Sequence, residues 1–156
     1  MNKSFIISFL LILFTTSCGF KPIQQKKLSN FHIAEINTIG DKRINFKIRN
    51  LLFFKSEDNS KKLIQITLNT SKEKNVKERN IKNEITKYQI NILINVKFKE
   101  INGKRSDQFN IQKSGDYLVS KQHTQTLNDE KKLLELLTDD ISEIIFNELR
   151  ERLNAI

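Results

Sequence analysis

The chain of 156 residues predicts an α/β sandwich, with two helices packed on one face of a four-stranded, largely antiparallel sheet, in the order β-α-β-β-β-α. Three observations predict it. In "ITKYQINILINVKFKEI" the apolar residues Tyr88, Ile90, Ile92, Ile94, Val96 and Phe98 take every second position, the period of a strand with one buried face. Asn102-Gly103 follows, a pair suited to a tight hairpin, and a second alternating run comes after it. The chain then ends on a helical stripe through Leu134, Leu137, Ile141, Ile144, Ile145, Leu149 and Leu153. Only 4 Gly and 1 Pro interrupt the chain, which favours long regular elements over a loop-rich fold.

Taken in order, Phe31, Ile33, Ile36 and Ile39 predict an irregular first strand closed by Gly40-Asp41. Ile44, Ile48, Leu51 and Leu52 then fall at helical spacing, with Asp41 placed as the N-cap, and the helix ends near Phe53-Phe54. "KSEDNSKK" is a polar break. Leu63 to Thr70 alternates as the second strand. The charged run "SKEKNVKERNIKNE" lacks clear periodicity and is read as a long loop, functional or disordered.

If Asn102-Gly103 forms a type I′ turn, Ile101 faces Lys104, Val96 faces Phe109 and Ile94 faces Ile111. Apolar then meets apolar on one face, while Gln108 and Asn110 meet Lys97 and Asn95 on the other. A slip of one residue would mix the two faces. Beyond Gly115 the strand runs to Val119 and gives way to the polar linker "SKQHTQT". Thr126 or Asn128 can cap the final helix, with Asp129 and Glu130 in its first turn. A coiled-coil seam or a membrane-surface face is the competing reading of its stripe. A helix laid on the apolar side of the sheet needs no further partner.

The N-terminus carries a different signal. Lys3 supplies a positive region, Phe5 to Phe14 an apolar run, and Thr15-Thr16-Ser17 small residues ahead of Cys18, the only cysteine. Ten helical residues at about 1.5 Å each fall short of a hydrocarbon core of roughly 30 Å, so the stretch reads as a secretory signal. An uncleaved anchor helix or a buried strand is the alternative. A lone cysteine has no disulfide partner in the chain. Its place after Thr16-Ser17 resembles a bacterial lipobox, with Thr15 where that motif prefers Leu. Cys18 is therefore expected to be the lipidation site, dividing the chain into a signal peptide (1–17), a lipidated tether (18–29) and one domain (30–156). A multiply acylated cysteine is a durable anchor, at ~0.8 kcal/mol per buried CH₂.

The formal charge of +9 points to an anionic partner. Outside the cytoplasm that partner is an envelope lipid, and nucleic acid is not expected. Catalysis has no visible candidate. His32 and His123 lack metal-ligand neighbours, Asp139-Asp140 point apart on a helix, and no nucleophile elbow, P-loop or dinucleotide fingerprint occurs. The chain is expected to be no enzyme and to need no cofactor beyond the covalent lipid.

"CGFKPI", the element order and the ending "DEKKLLELLTDDISEIIFNEL" together resemble the lipopolysaccharide-assembly lipoproteins of Gram-negative outer membranes, the LptE family. Ile23 stands where Leu is frequent. The resemblance implies a lipoprotein anchored to the outer membrane on its periplasmic and barrel-lumen side. It would plug and help assemble an LptD-type β-barrel and bind lipopolysaccharide in transit. It also implies ligand-binding residues. Arg79, with Lys77 beside it, is the closest counterpart of a family Arg in the loop before the third strand. A family Lys before the last helix falls near Leu127, which is not basic, and Lys121 stands in for it. Plain solvation of Lys72, Lys74, Lys77 and Arg79 is the bland alternative, and an unrelated periplasmic-facing binding or scaffold lipoprotein is the rival function.

Overall fold

A computed structural model of the chain describes residues 31–56 and 60–154. The expected signal peptide, the expected lipidation site Cys18 and the expected tether lie outside those residues. The order is β1 (His32–Gly40), α1 (Lys42–Lys55), β2 (Leu63–Arg79), β3 (Ile85–Glu100), β4 (Ser106–Leu118) and α2 (His123–Asn154). The four strands form one sheet in the order β1-β2-β3-β4, β1 parallel to β2 and the other two pairings antiparallel. Both helices lie on one face, α1 against β1 and β2 and α2 against β4, β3 and α1. The expected architecture is the observed one.

The β3–β4 register is the one the alternation predicts, with Ile94 opposite Ile111 and Val96 opposite Phe109. The turn is not. Neither Asn102 nor Gly103 has a positive φ, so no type I′ turn forms. The ladder ends at Lys99 and Ser106, and the Glu100 N–H donates to the Arg105 carbonyl at 2.9 Å. The loop is therefore wider but keeps the same centre.

β1 is irregular because of a bulge between Ile33 and Glu35, which lets Ile33 and Ile36 both face the helices despite their odd spacing. Past the bulge Ile39 points to the opposite face and is exposed, unlike Phe31, Ile33 and Ile36 of the same predicted strand. Gly40 turns the chain into α1 at φ 94°, and a Cβ there would sit 1.9 Å from the Thr70 carbonyl oxygen. Asp41 caps α1 as expected, its Oδ1 accepting from the Arg43 and Ile44 N–H groups at 3.0 Å each. Inside this corner the buried Asn45 donates to the Ile39 carbonyl (3.0 Å) and accepts from the Thr70 hydroxyl (2.7 Å), so its amide costs little to bury.

The helix-facing sheet residues Ile64, Ile66, Leu68, Ile90, Ile92, Ile94 and Val96 are almost wholly buried against Ile48, Leu52, Ile141, Ile145 and Leu149. α2 starts at His123, earlier than Thr126 or Asn128 would set it, because the Gln122 carbonyl accepts from the Gln125 and Thr126 N–H groups. The Thr126 hydroxyl instead accepts from the Ser120 N–H at 2.9 Å, and His123 belongs to the helix. Thr138 and Ser142 sit buried in α2 and bond back to the Leu134 and Thr138 carbonyls. At the other end Lys62 and Arg105 each donate to the Leu153 carbonyl at 2.8 Å, two cations where the helix dipole is negative.

The largest departure concerns residues 71–79. They extend β2 to Arg79, and the turn proper spans only 80–84, with Asn83 at φ 64°. The segment shows no period of two because its end of the hairpin runs past the start of α1, so neither of its faces requires apolar residues.

Candidate functional site

The face of the sheet away from the helices is built from cross-strand rows that the register dictates. One row runs Asn37, Thr67, Lys97, Gln108, and the next Ile39, Asn69, Asn95, Asn110. Further along come Ser71, Leu93, Gln112, then Glu73, Asn91, Ser114, then Asn75, Gln89, Asp116. Neutral amides and hydroxyls dominate. They also pair laterally, Gln65 donating to Glu35 at 2.7 Å and Asn95 to Asn110 at 2.7 Å. Ile39 and Leu93 are the large apolar side chains exposed in these rows. An amide offers donor and acceptor without a net charge, so this surface can hydrogen-bond to almost any polar wall without strong electrostatic selection.

At the hairpin end the cations are engaged. The Arg79 guanidinium donates to the Asn83 carbonyl at 2.8 Å, bracing the turn. Lys77 is ion-paired with Asp116, which also accepts from Gln89 at 3.1 Å. The Lys77 ammonium holds the Asp116 carboxyl below the usual range. Lys87 pairs with Glu78 at 2.6 Å, and that bond raises the ammonium's pKa.

Lys121 lies in the short linker after β4, at the same end of the sheet as Lys77. Lys77, Arg79 and Lys121 thus lie at the same end of the sheet, where the hairpin, the close of β4 and the start of α2 meet. Arg79 sits at the tip side, braced against its own turn.

Sequence reasoning missed a cluster on the helix side of this end. Lys74 lies 4.4 Å from the Tyr88 ring centre and 5.4 Å from that of Tyr117, while the two rings stack at 5.7 Å. Its ammonium bonds Glu130 of α2 at 2.6 Å, and the Tyr117 hydroxyl donates to the same Glu130 oxygen at 2.7 Å. Burial disfavours the Lys74 and Glu130 charges, but their mutual bond and the Tyr117 contact outweigh it, raising the Lys74 pKa and lowering that of Glu130. The knot fastens the hairpin to α2. Lys72 does the same for α1, reaching Asp41 Oδ2 at 3.2 Å. These lysines hold elements together, a role beyond plain solvation. The tyrosine pair was in reach of the sequence, since the predicted β3–β4 register sets Tyr88 opposite Tyr117.

Among the described residues no group of His, Cys, Asp and Glu is placed to hold a metal ion, and no helix is long and apolar enough to cross a membrane.

The fold is that of a set of small bacterial lipoproteins. Lipoprotein B of Nitrosomonas europaea, uncharacterized, superposes with a TM-score of 0.64 at 14% identity, over 88% of this chain and 94% of its own. Rare lipoprotein B of Shewanella oneidensis gives 0.57 at 12%, over 74% and 92%. A Caulobacter crescentus CB15 protein described as a lipoprotein gives 0.55 at 11%, over 81% and 92%. No family model and no curated protein matches the sequence. At these identities the likeness is one of fold.

Proposed function

We propose that this chain is a non-enzymatic lipoprotein of the lipopolysaccharide-assembly type. It is anchored to the outer membrane through Cys18, seated against the inner wall of an LptD-type β-barrel, and contacts lipopolysaccharide in transit. The observation that carries the reading is the sheet face on which amides and hydroxyls outnumber the charged and apolar side chains. An isolated domain gains little from a surface so rich in neutral hydrogen-bonding groups, whereas the water-lined interior of a large barrel is polar and hydrogen-bonding. The signal-cysteine junction, the "CGFKPI" start and a fold shared with bacterial lipoproteins support the same assignment. Lys77, Arg79 and Lys121, at one end of the sheet, are the cations offered to lipid A phosphates, with Arg the better match for a planar, bidentate contact. The bonds that now hold Lys77 and Arg79 are exposed, so a phosphate can replace them at small cost.

The experiment is metabolic labelling with palmitate followed by mild detergent extraction from the native membrane. Label on Cys18 and recovery with a large β-barrel protein support the reading. Label without a barrel favours a scaffold lipoprotein, and a bare Cys18 on a soluble chain removes the anchor itself.

A further inference from the structure

β4 is an edge strand, and its free edge matches itself. Two bonds fix which of its main-chain groups point outward. Glu100 N–H donates to the Arg105 carbonyl and Val119 N–H to the Thr86 carbonyl, both at 2.9 Å. Since hydrogen-bonded pairs recur every second residue in an antiparallel ladder, the odd-numbered residues of β4 are bonded to β3. Gln108, Asn110 and Gln112 therefore turn their N–H and C=O groups away from the sheet. A groove of about 300 Å³ follows this edge, with Phe109 to Gln112 on one side and Ile144, Glu148 and Arg152 of α2 on the other. The edge has no proline, and a long unpaired edge is a template for another strand.

We propose that two copies of this chain join through their β4 edges, antiparallel about a two-fold axis at Asn110, into one continuous eight-stranded sheet. In this register Asn110 lies opposite Asn110 of the second copy, a hydrogen-bonded pair. Gln108 then meets Gln112, Phe109 meets Ile111, and Asp107 meets Lys113, each twice by symmetry. Amide faces amide, apolar faces apolar, and opposite charges face each other at close, non-hydrogen-bonded positions. The neighbouring symmetric registers lose this. An axis at Ile111 sets Phe109 against Lys113, and an axis at Phe109 sets Lys113 against Arg105. The match identifies the occupant as a second copy rather than an arbitrary strand.

Two local bonds must yield. Asp107 Oδ1 now accepts from the Gln108 N–H at 2.7 Å and releases it to the incoming strand, while Oδ2 keeps Arg152 at 2.6 Å. Lys113 is only 4.0 Å from Asp140 and exposed enough to turn outward. The pairing belongs to the chain free of any enclosing partner and does not rest on the barrel reading. Failure of a barrel to co-purify leaves it standing, and failure of the dimer leaves that reading standing.

The test uses the purified full chain in mild detergent. The Cα atoms of a hydrogen-bonded antiparallel pair lie about 5.5 Å apart, inside the roughly 4.4–6.8 Å that a disulfide spans. With Cys18 replaced by Ser in every variant, Asn110→Cys should oxidise to a species of twice the monomer's mass, which the Cys18→Ser chain alone does not form. Gln112→Cys alone should not, since the two copies of residue 112 lie about 13 Å apart along the strands, whereas Gln108→Cys with Gln112→Cys should. In the Asn110→Cys background, Lys113→Asp should cut the yield about five-fold, because two cross-strand pairs become repulsive, and adding Asp107→Lys should restore it. Circular dichroism checks that each variant is folded. Absence of the Asn110→Cys dimer from a folded chain, equal yield from Gln112→Cys, or no rescue by the charge exchange overturns the proposal.

Discussion

Replacing Ile94 by Ala and Leu93 by Asn tests the division of the sheet into a dry and a wet face at adjacent residues. Ile94 is 0% exposed, sits in an interior strand and faces Ile111 and Thr70 across its neighbours, whereas Leu93 is 47% exposed between Ser71 and Gln112. Ile94→Ala removes three carbons. At ~0.8 kcal/mol each, the transfer loss is about 2.4 kcal/mol. A cavity under the helices, which cannot collapse far, adds a further ~1 kcal/mol or more, for a total of about 3–4 kcal/mol. Leu93→Asn extends the amide rows and should change stability by no more than ~0.5 kcal/mol. Urea unfolding followed by far-ultraviolet circular dichroism reads both. With a slope of ~1.5 kcal/mol/M, Ile94→Ala moves the midpoint down by about 2 M. Equal midpoint shifts for the two variants would refute the two-faced sheet.

Three further outcomes are expected. Asp41→Ala removes the acceptor of two N–H groups and the Lys72 contact, costing about 1 kcal/mol and lowering the melting temperature by ~4 °C, which calorimetry reads. Burial works to raise the Glu130 and Asp41 pKa values, but bonds to lysine and other donors outweigh it and hold both below their ordinary 4.5 and 3.8. The unfolded chain therefore binds more protons in that window, so their stabilisation is full above the ordinary values and is lost as pH falls through the folded ones. Glu130→Gln should make acid unfolding less steep below pH 4.5, and an unchanged acid profile would remove the Lys74–Glu130–Tyr117 knot as its cause. Arg79→Asp should weaken binding of purified lipopolysaccharide about ten-fold, as expected for a charge-assisted contact turned repulsive, with an unaltered dichroism spectrum. Unchanged binding takes Arg79 out of the site.

The register of β3 and β4 was legible because the alternation and the Asn102-Gly103 centre constrain it together. A wider loop centred on the same peptide keeps every pairing that a two-residue turn would make, so the register survives although the turn type does not. The second helix was legible from its stripe. Its start was not, because a main-chain carbonyl at Gln122 caps it and leaves no side-chain signature. Ile39 faces outward because of a bulge, one extra residue that reverses the alternation after it and that the sequence does not announce. The end of β2 stayed hidden because its residues 71–79, past the start of α1, are exposed on both faces and record no alternation in the sequence. For the same reason Lys74 could not be set beside Tyr88 and Tyr117, while the two tyrosines could. Arg79, Lys77 and Lys121 came from family resemblance and charge. Their shared position follows only from where the hairpin, β4 and α2 meet.

A photoactivatable crosslinker at Asn95, in the middle of the amide rows, tests the central claim most directly in the native membrane. Enclosure of the wet face predicts capture of one large outer-membrane β-barrel protein at high yield. Capture of assorted periplasmic proteins, or of none, contradicts it.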